Sequence, residues 1–150
     1  MSTGTRNPAD LLETHHADVL GITYQVVGDV TLAARAVTTI FERLVRNRPS
    51  REAERVTLWR FALRILRNYH ARGLTIVPIR PPAADWQTAL LNRLGRLDPE
   101  DRILLLLRYR EGLDDRELAA VLGVDRPTAR ARLMEARRRL LADPGDQALR

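Results

Sequence analysis

The 150-residue sequence contains no cysteine and no lysine, and only 5% of its residues are aromatic. Without cysteine there is no disulfide framework, no thiolate nucleophile and no Cys-type zinc site. The glycine-rich signatures GxGxxG and GxxxxGK[ST] do not occur, so no phosphate-binding loop is encoded. Uninterrupted apolar runs such as Ile103–Leu107 are far too short for a bilayer span, and MSTGTRNPAD lacks an apolar signal core. These absences point to a soluble, cytoplasmic chain with no membrane role. The scarcity of aromatics alongside abundant leucine, alanine and arginine favours helices over strands.

All 25 basic residues are arginine, and the formal net charge is +6. Across the whole chain this reads as the codon habit of a GC-rich genome, so any functional meaning must come from where the arginines cluster. They cluster at one place. The stretch 126–139 has six arginines against the single acid Glu135, whereas residues 85–125 carry six arginines and nine acids. Like charges on neighbouring helical turns repel one another. A helix charged in this way is expected to face something anionic.

Proline and glycine divide the rest. Residues 10–27 have helical spacing, with Leu11, Leu12, His15, Val19, Ile22 and Val26 along one side. After Gly28–Asp29 a second helix is expected over 31–46, with Leu32, Ala36, Ile40 and Leu44 four residues apart. A third is expected over 52–72, burying Val56, Trp59, Leu63, Leu66 and Phe61, with Gly73 as its C-cap. GLTIVPIRPPAAD, with three prolines, reads as an extended strap. A helix capped by Asp85 follows. Asp98-Pro99 then opens a helix to Arg110, Asp114 with Glu117 forms a capping box, and Asp125 caps the basic helix. The fold expected is all-α: two small helical domains, 10–73 and 85–142, joined by a proline-rich linker at 74–84.

The two final helices, joined by L-G-V-D, have the helix-turn-helix pattern. Ala119 and Ala120 are small where the helices cross, and Leu118, Val121, Leu122 and Val124 form the wedge. Ala129, Leu133, Ala136 and Leu140 form the buried stripe of the second helix. In a major groove, the N-terminal residues of such a helix meet base edges and its flanking arginines meet phosphates. The histidines His15, His16 and His70 have no third ligand nearby, so no metal is expected. The pairs Glu100-Asp101 and Asp114-Asp115 open helices, where capping and the helix dipole account for them. No nucleophile–base pair stands out, so the chain is not expected to be an enzyme or to need a cofactor.

The run LGRLDPEDRILLLLRYREGLDDRELAAVLGVDRPTARARLMEARRRL resembles region 4 of the sigma-70 family, most closely the extracytoplasmic-function (ECF) type. The resemblance implies a domain that docks its last helix into the promoter −35 element. Thr128, Arg130, Ala131, Met134 and Glu135 would then face bases or the groove, and Arg126, Arg132 and Arg137 would serve phosphates. More distantly, the first half is similar to region 2 of that family. There Arg60, Arg64, Arg67 and Arg72 are candidates for melted −10 DNA. Where the family carries acids and glutamines that grip the polymerase β′ coiled coil, this chain reads AARAVTTIF, leaving Arg35, Thr38, Thr39 and Glu42 as the polar candidates. The resemblance implies an ECF-type sigma factor whose partners are core RNA polymerase (β′ and β subunits), double-stranded promoter DNA and an anti-sigma factor. The alternative is a sigma-like DNA-binding regulator that no longer programmes polymerase.

Overall fold

The computed structural model describes residues 7–67 and 85–142, and within them every element is helical. Three helices come from the first stretch: α1 (Pro8–Val27), α2 (Val30–Asn47) and α3 (Glu54–Leu66). Four come from the second: α4 (Asp85–Arg96), α5 (Pro99–Tyr109), α6 (Asp115–Leu122) and α7 (Arg126–Leu141). Local chemistry sets most boundaries. Asn7 accepts from the Ala9 amide at 2.9 Å with Pro8 at the first helical position, and α1 stops at Gly28 in the left-handed region (φ 76°). Asp29 then caps α2 by accepting from Leu32 N at 2.8 Å.

Of the stripe expected on α2, Ala36, Ile40 and Leu44 are buried, with Val37 and Phe41 buried beside them, while Leu32 is only half-buried. Other expectations need correcting. Leu12 faces outward and is 43% exposed, because Leu11, not Leu12, shares the buried side of α1 with Val19, Ile22 and Val26. Helix α3 begins at Glu54, with Glu52 and Ala53 in the preceding turn. It buries Leu58, Ala62 and Ile65 as well as Trp59, Leu63 and Leu66, while Val56 and Phe61 are half-buried. Such a broad apolar face fits a helix packed on both sides. α3 lies against α1 and α2 and also against α5 and α6. Helix α4 starts at Asp85 itself, so that residue is the first of the helix and not its cap. Arg72, Gly73 and the strap at 74–84 lie outside the described residues.

The buried side chains of α1–α3 and of α5–α7 belong to one continuous apolar cluster. Polar contacts surround this joint. The buried Arg102 guanidinium donates to the Leu97 carbonyl at 2.8 Å, to Val26 O at 3.1 Å and to Gln25 O at 3.5 Å. The last two are carbonyls from the final turn of α1, so an arginine of the second half completes a helix of the first. Burial pulls the Arg102 pKa below the ordinary arginine value; Asp98 opposes this, and a guanidinium stays charged regardless. Nearby, Gly21 of α1 lies under the Arg110 guanidinium, where any Cβ would collide with it. Arg55 donates to the Glu111 carbonyl and pairs with Glu117 at 3.5 Å.

Candidate nucleic-acid interface

Three local devices build the helix pair α6–α7. Asp114 accepts from Glu117 N at 2.8 Å and Glu117 returns the bond to Asp114 N at 3.2 Å, a complete capping box. Gly123 ends α6 in the left-handed region (φ 70°), and Val124 N reaches back to Ala119 O at 3.0 Å. Asp125 then caps α7 by accepting from Thr128 N at 2.8 Å; hydrogen bonding from Thr128, its side chain first and then its amide, holds the Asp125 carboxyl below the usual range. Only Gly123, Val124 and Asp125 separate the two helices, which forces them into a tight crossing. Leu118, Ala119 and Val121 are buried there together with Ala129, Leu133 and Ala136. Ala120, expected at the crossing, is exposed, and Leu140 is only half-buried. Asp98 occupies the N-cap position of α5 without making the expected side-chain bond.

The faces of α7 left in solvent differ from one another. Thr128, Ala131 and Met134 are exposed on the side away from the core, Met134 at 60%. On one flank, Arg126, Arg130 and Arg137 are exposed, and among the described residues none of them makes an ion pair. Arg137 sits over the ring of the exposed Tyr109, 5.9 Å from its centroid. The other flank faces the start of α5. Arg139 donates to Asp101 at 2.9 Å, which raises the Arg139 pKa, and Arg132 lies 3.8 Å from Glu100. Glu135, expected to face bases, is held within its own helix. It accepts from Arg138 at 2.6 and 3.0 Å and lies 3.4 Å from Arg139; the Arg138 bonds depress its pKa.

In the first half, Arg60, Arg64 and Arg67 are exposed at spacings of four and three, which places them on one face of α3. Arg67 reaches across to Glu100 at 2.8 Å. Trp59 is 2% exposed and belongs to the core, so as placed it offers no stacking surface. On α2, Arg35, Thr38 and Glu42 are exposed and Thr39 is half-buried. Both threonine hydroxyls turn back onto their own helix, Thr38 to Ala34 O at 3.0 Å and Thr39 to Arg35 O at 3.1 Å. Beside them runs a mostly apolar groove lined by Leu12, Leu20, Val37, Phe41 and Val45, with His16 stacked on Phe41.

His15, expected on the apolar side of α1, pairs instead with the buried Glu54 at 2.7 Å. Among the described residues no three His, Cys, Asp or Glu side chains converge as metal ligands, and no helix is long and apolar enough to cross a membrane. Sequence reasoning missed Tyr109, Arg102 and the pairing of Glu100 and Asp101 with arginines. All of these depend on contacts between distant parts of the chain.

Comparison with known proteins bears on both halves. Residues 87–140 match the family described as Sigma-70, region 4. None of the curated proteins matches the chain. Among solved structures, the fold is similar to that of CnrH, solved in complex with the cytosolic domain of CnrY. The TM-score is 0.66 and the identity 22%, over 89% of this chain and 84% of that one.

Proposed function

We propose that the chain acts as a sigma factor of the ECF type, a reading supported by the match of residues 87–140 to the family described as Sigma-70, region 4. In this reading it binds core RNA polymerase through its β′ and β subunits and directs initiation at specific promoters in the cytoplasm. Its task is recognition, with no reaction of its own to catalyse. The observation that carries the reading is the exposed face of α7. Thr128, Ala131 and Met134 are presented there beside three arginines that make no ion pair among the described residues, on a helix anchored by a capped tight turn. Inserted in a major groove, that face meets base edges while Arg126, Arg130 and Arg137 meet phosphates of the adjoining strand. Arg60, Arg64, Arg67 and Arg72 are assigned to the melted −10 region, where a cationic track follows single-stranded backbone.

The apolar groove beside α2 suits a protein surface, and Arg35, Thr38, Thr39 and Glu42 are assigned to polymerase contact at its edge. CnrH is known in complex with a segment of CnrY, and an anti-sigma factor is assigned as a second protein partner here. One observation favours a different reading, a DNA-binding regulator that leaves polymerase alone: there is no acid between Asp29 and Glu42 on the surface that would grip the β′ coiled coil.

Co-purification of the tagged full-length chain with core RNA polymerase separates the two. A stoichiometric complex, lost in Arg35→Glu/Glu42→Arg, is the result expected of a sigma factor. DNA binding without any polymerase complex would establish the regulator instead.

A further inference from the structure

The two flanks of α7 differ in one respect that its sequence does not show. Arg132 and Arg139, seven residues apart and therefore on one side of the helix, both face carboxylates of the first turn of α5. Glu100 Oε1 lies 2.8 Å from the Arg67 guanidinium and 3.8 Å from that of Arg132. Asp101 Oδ2 accepts from Arg139 at 2.9 Å. One short acidic turn thus engages three arginines from three places: the end of α3 and two turns of α7. The opposite flank, with Arg126, Arg130 and Arg137, has no acid within pairing distance among the described residues.

Carboxylate and phosphodiester oxygens are both anionic acceptors that suit the guanidinium fork. Resting on the assignment of α7 as a DNA-binding helix, we propose that Glu100 and Asp101 act as a built-in stand-in for DNA phosphates. They hold Arg132, Arg139 and Arg67 until a phosphate backbone displaces them, and so lower the affinity of the site and flatten its salt dependence. The arginines are about half exposed, at 46–47%, and pairs in that setting are weak enough to exchange. Glu100 also ties the two halves of the chain to the same event, because DNA that takes Arg132 leaves Glu100 to Arg67 alone. An arginine already paired internally releases no net counterion from DNA. The wild-type salt slope should therefore count mainly the free flank.

The test uses the full-length protein and a 20-bp mixed-sequence duplex, titrated by fluorescence anisotropy from 50 to 300 mM KCl. Glu100→Gln/Asp101→Asn should bind at least about threefold tighter at the lowest salt than Glu13→Gln/Glu52→Gln, a control that removes the same charge from exposed sites on other elements. Its slope of log affinity against log salt should be steeper by about 1–2. Far-UV circular dichroism checks folding, and the single variant Glu100→Gln, at a half-exposed position, serves if the double variant is unstable. Equal affinity and slope in the acidic-turn variant and the control would overturn the stand-in. Arg130→Ala tells the two ideas apart. If it weakens binding while Glu100→Gln/Asp101→Asn behaves as the control, only the stand-in falls; if it leaves binding unchanged, the assignment of α7 to DNA falls and takes the stand-in with it.

Discussion

Helices α2 and α7 are of similar length, and each buries one stripe and exposes the rest, yet their exposed surfaces suit different kinds of partner. Helix α2 is flanked by a groove of leucine, valine and phenylalanine, with few charges at its rim. Helix α7 buries only Ala129, Leu133 and Ala136 and gives the rest of its circumference largely to arginine. Apolar surface gains by leaving water against another apolar surface, whereas concentrated guanidinium charge gains by replacing the counterions of a polyanion. The contrast teaches that an arginine count says little until the geometry shows which arginines lack an internal partner.

The most direct way to break this comparison is to reverse one charge on each helix. Arg130→Glu should weaken binding to duplex DNA by about a hundredfold at moderate salt, since it removes one phosphate contact and adds a repulsion. Arg35→Glu changes net charge equally but should stay within about threefold on the same duplex, as anisotropy titration would show. Comparable losses would mean that DNA responds to overall charge and not to the face of α7.

A smaller effect sharpens the comparison at the level of helix ends. Asp114→Ala deletes the side-chain bond that caps Glu117 N in a complete capping box, leaving only the bond from the residue-114 amide to Glu117, and should cost about 1 kcal/mol in urea unfolding. Asp98→Ala removes a residue at the equivalent position of α5 that makes no side-chain bond, and should cost only about 0.3 kcal/mol. Equal losses would show that dipole stabilisation, not the hydrogen bond, dominates these ends.

The smallest effect concerns the joint between the halves. Burial, with Asp18 adding to it, pushes the Glu111 carboxyl up in the folded protein. A group raised on folding favours the folded state when protonated. That stability is complete below its unfolded value and is lost as pH rises through the folded one. Glu111→Gln should therefore flatten the change in melting temperature just above the ordinary glutamate range and leave the protein slightly more stable at neutral pH. A variant with the wild-type pH profile would place the cause elsewhere.

How much of this was legible in the sequence depended on distance along the chain. The α2 stripe, the capping box at Asp114, the Asp125 cap and the stripe of α7 up to Ala136 were all readable, because each is fixed by neighbours three or four residues away. So was the separation of α7 as a cationic helix. Contacts across the fold were not readable. The His15–Glu54 pair, 39 residues apart, leaves no local signature, so His15 looked like one more residue of an apolar side. Arg102 sits beside a run of aliphatic residues, and nothing nearby announces that its guanidinium is buried against another helix. Glu100 and Asp101 looked fully explained as a helix start. Their arginine partners come from sequence positions as distant as Arg67 and Arg139. The outward turn of Leu12 is a milder case: Leu11 and Leu12 lie about 100° apart around α1, and periodicity alone did not show which of them the buried side would include.

The Arg102 contact has a consequence for modularity. Helix α1 has no basic residue in its last turn, so the cation that its final carbonyls meet is encoded some 76 positions downstream. A fragment holding only α1–α3 is then expected to fray at Val26 and Val27, however well its own leucines pack. Grafting the second half of a relative onto this first half would need an arginine at the matching place, or the graft would inherit an unfinished helix. The two halves resemble separable parts in the sequence, but the end of α1 is completed by an arginine of the other half.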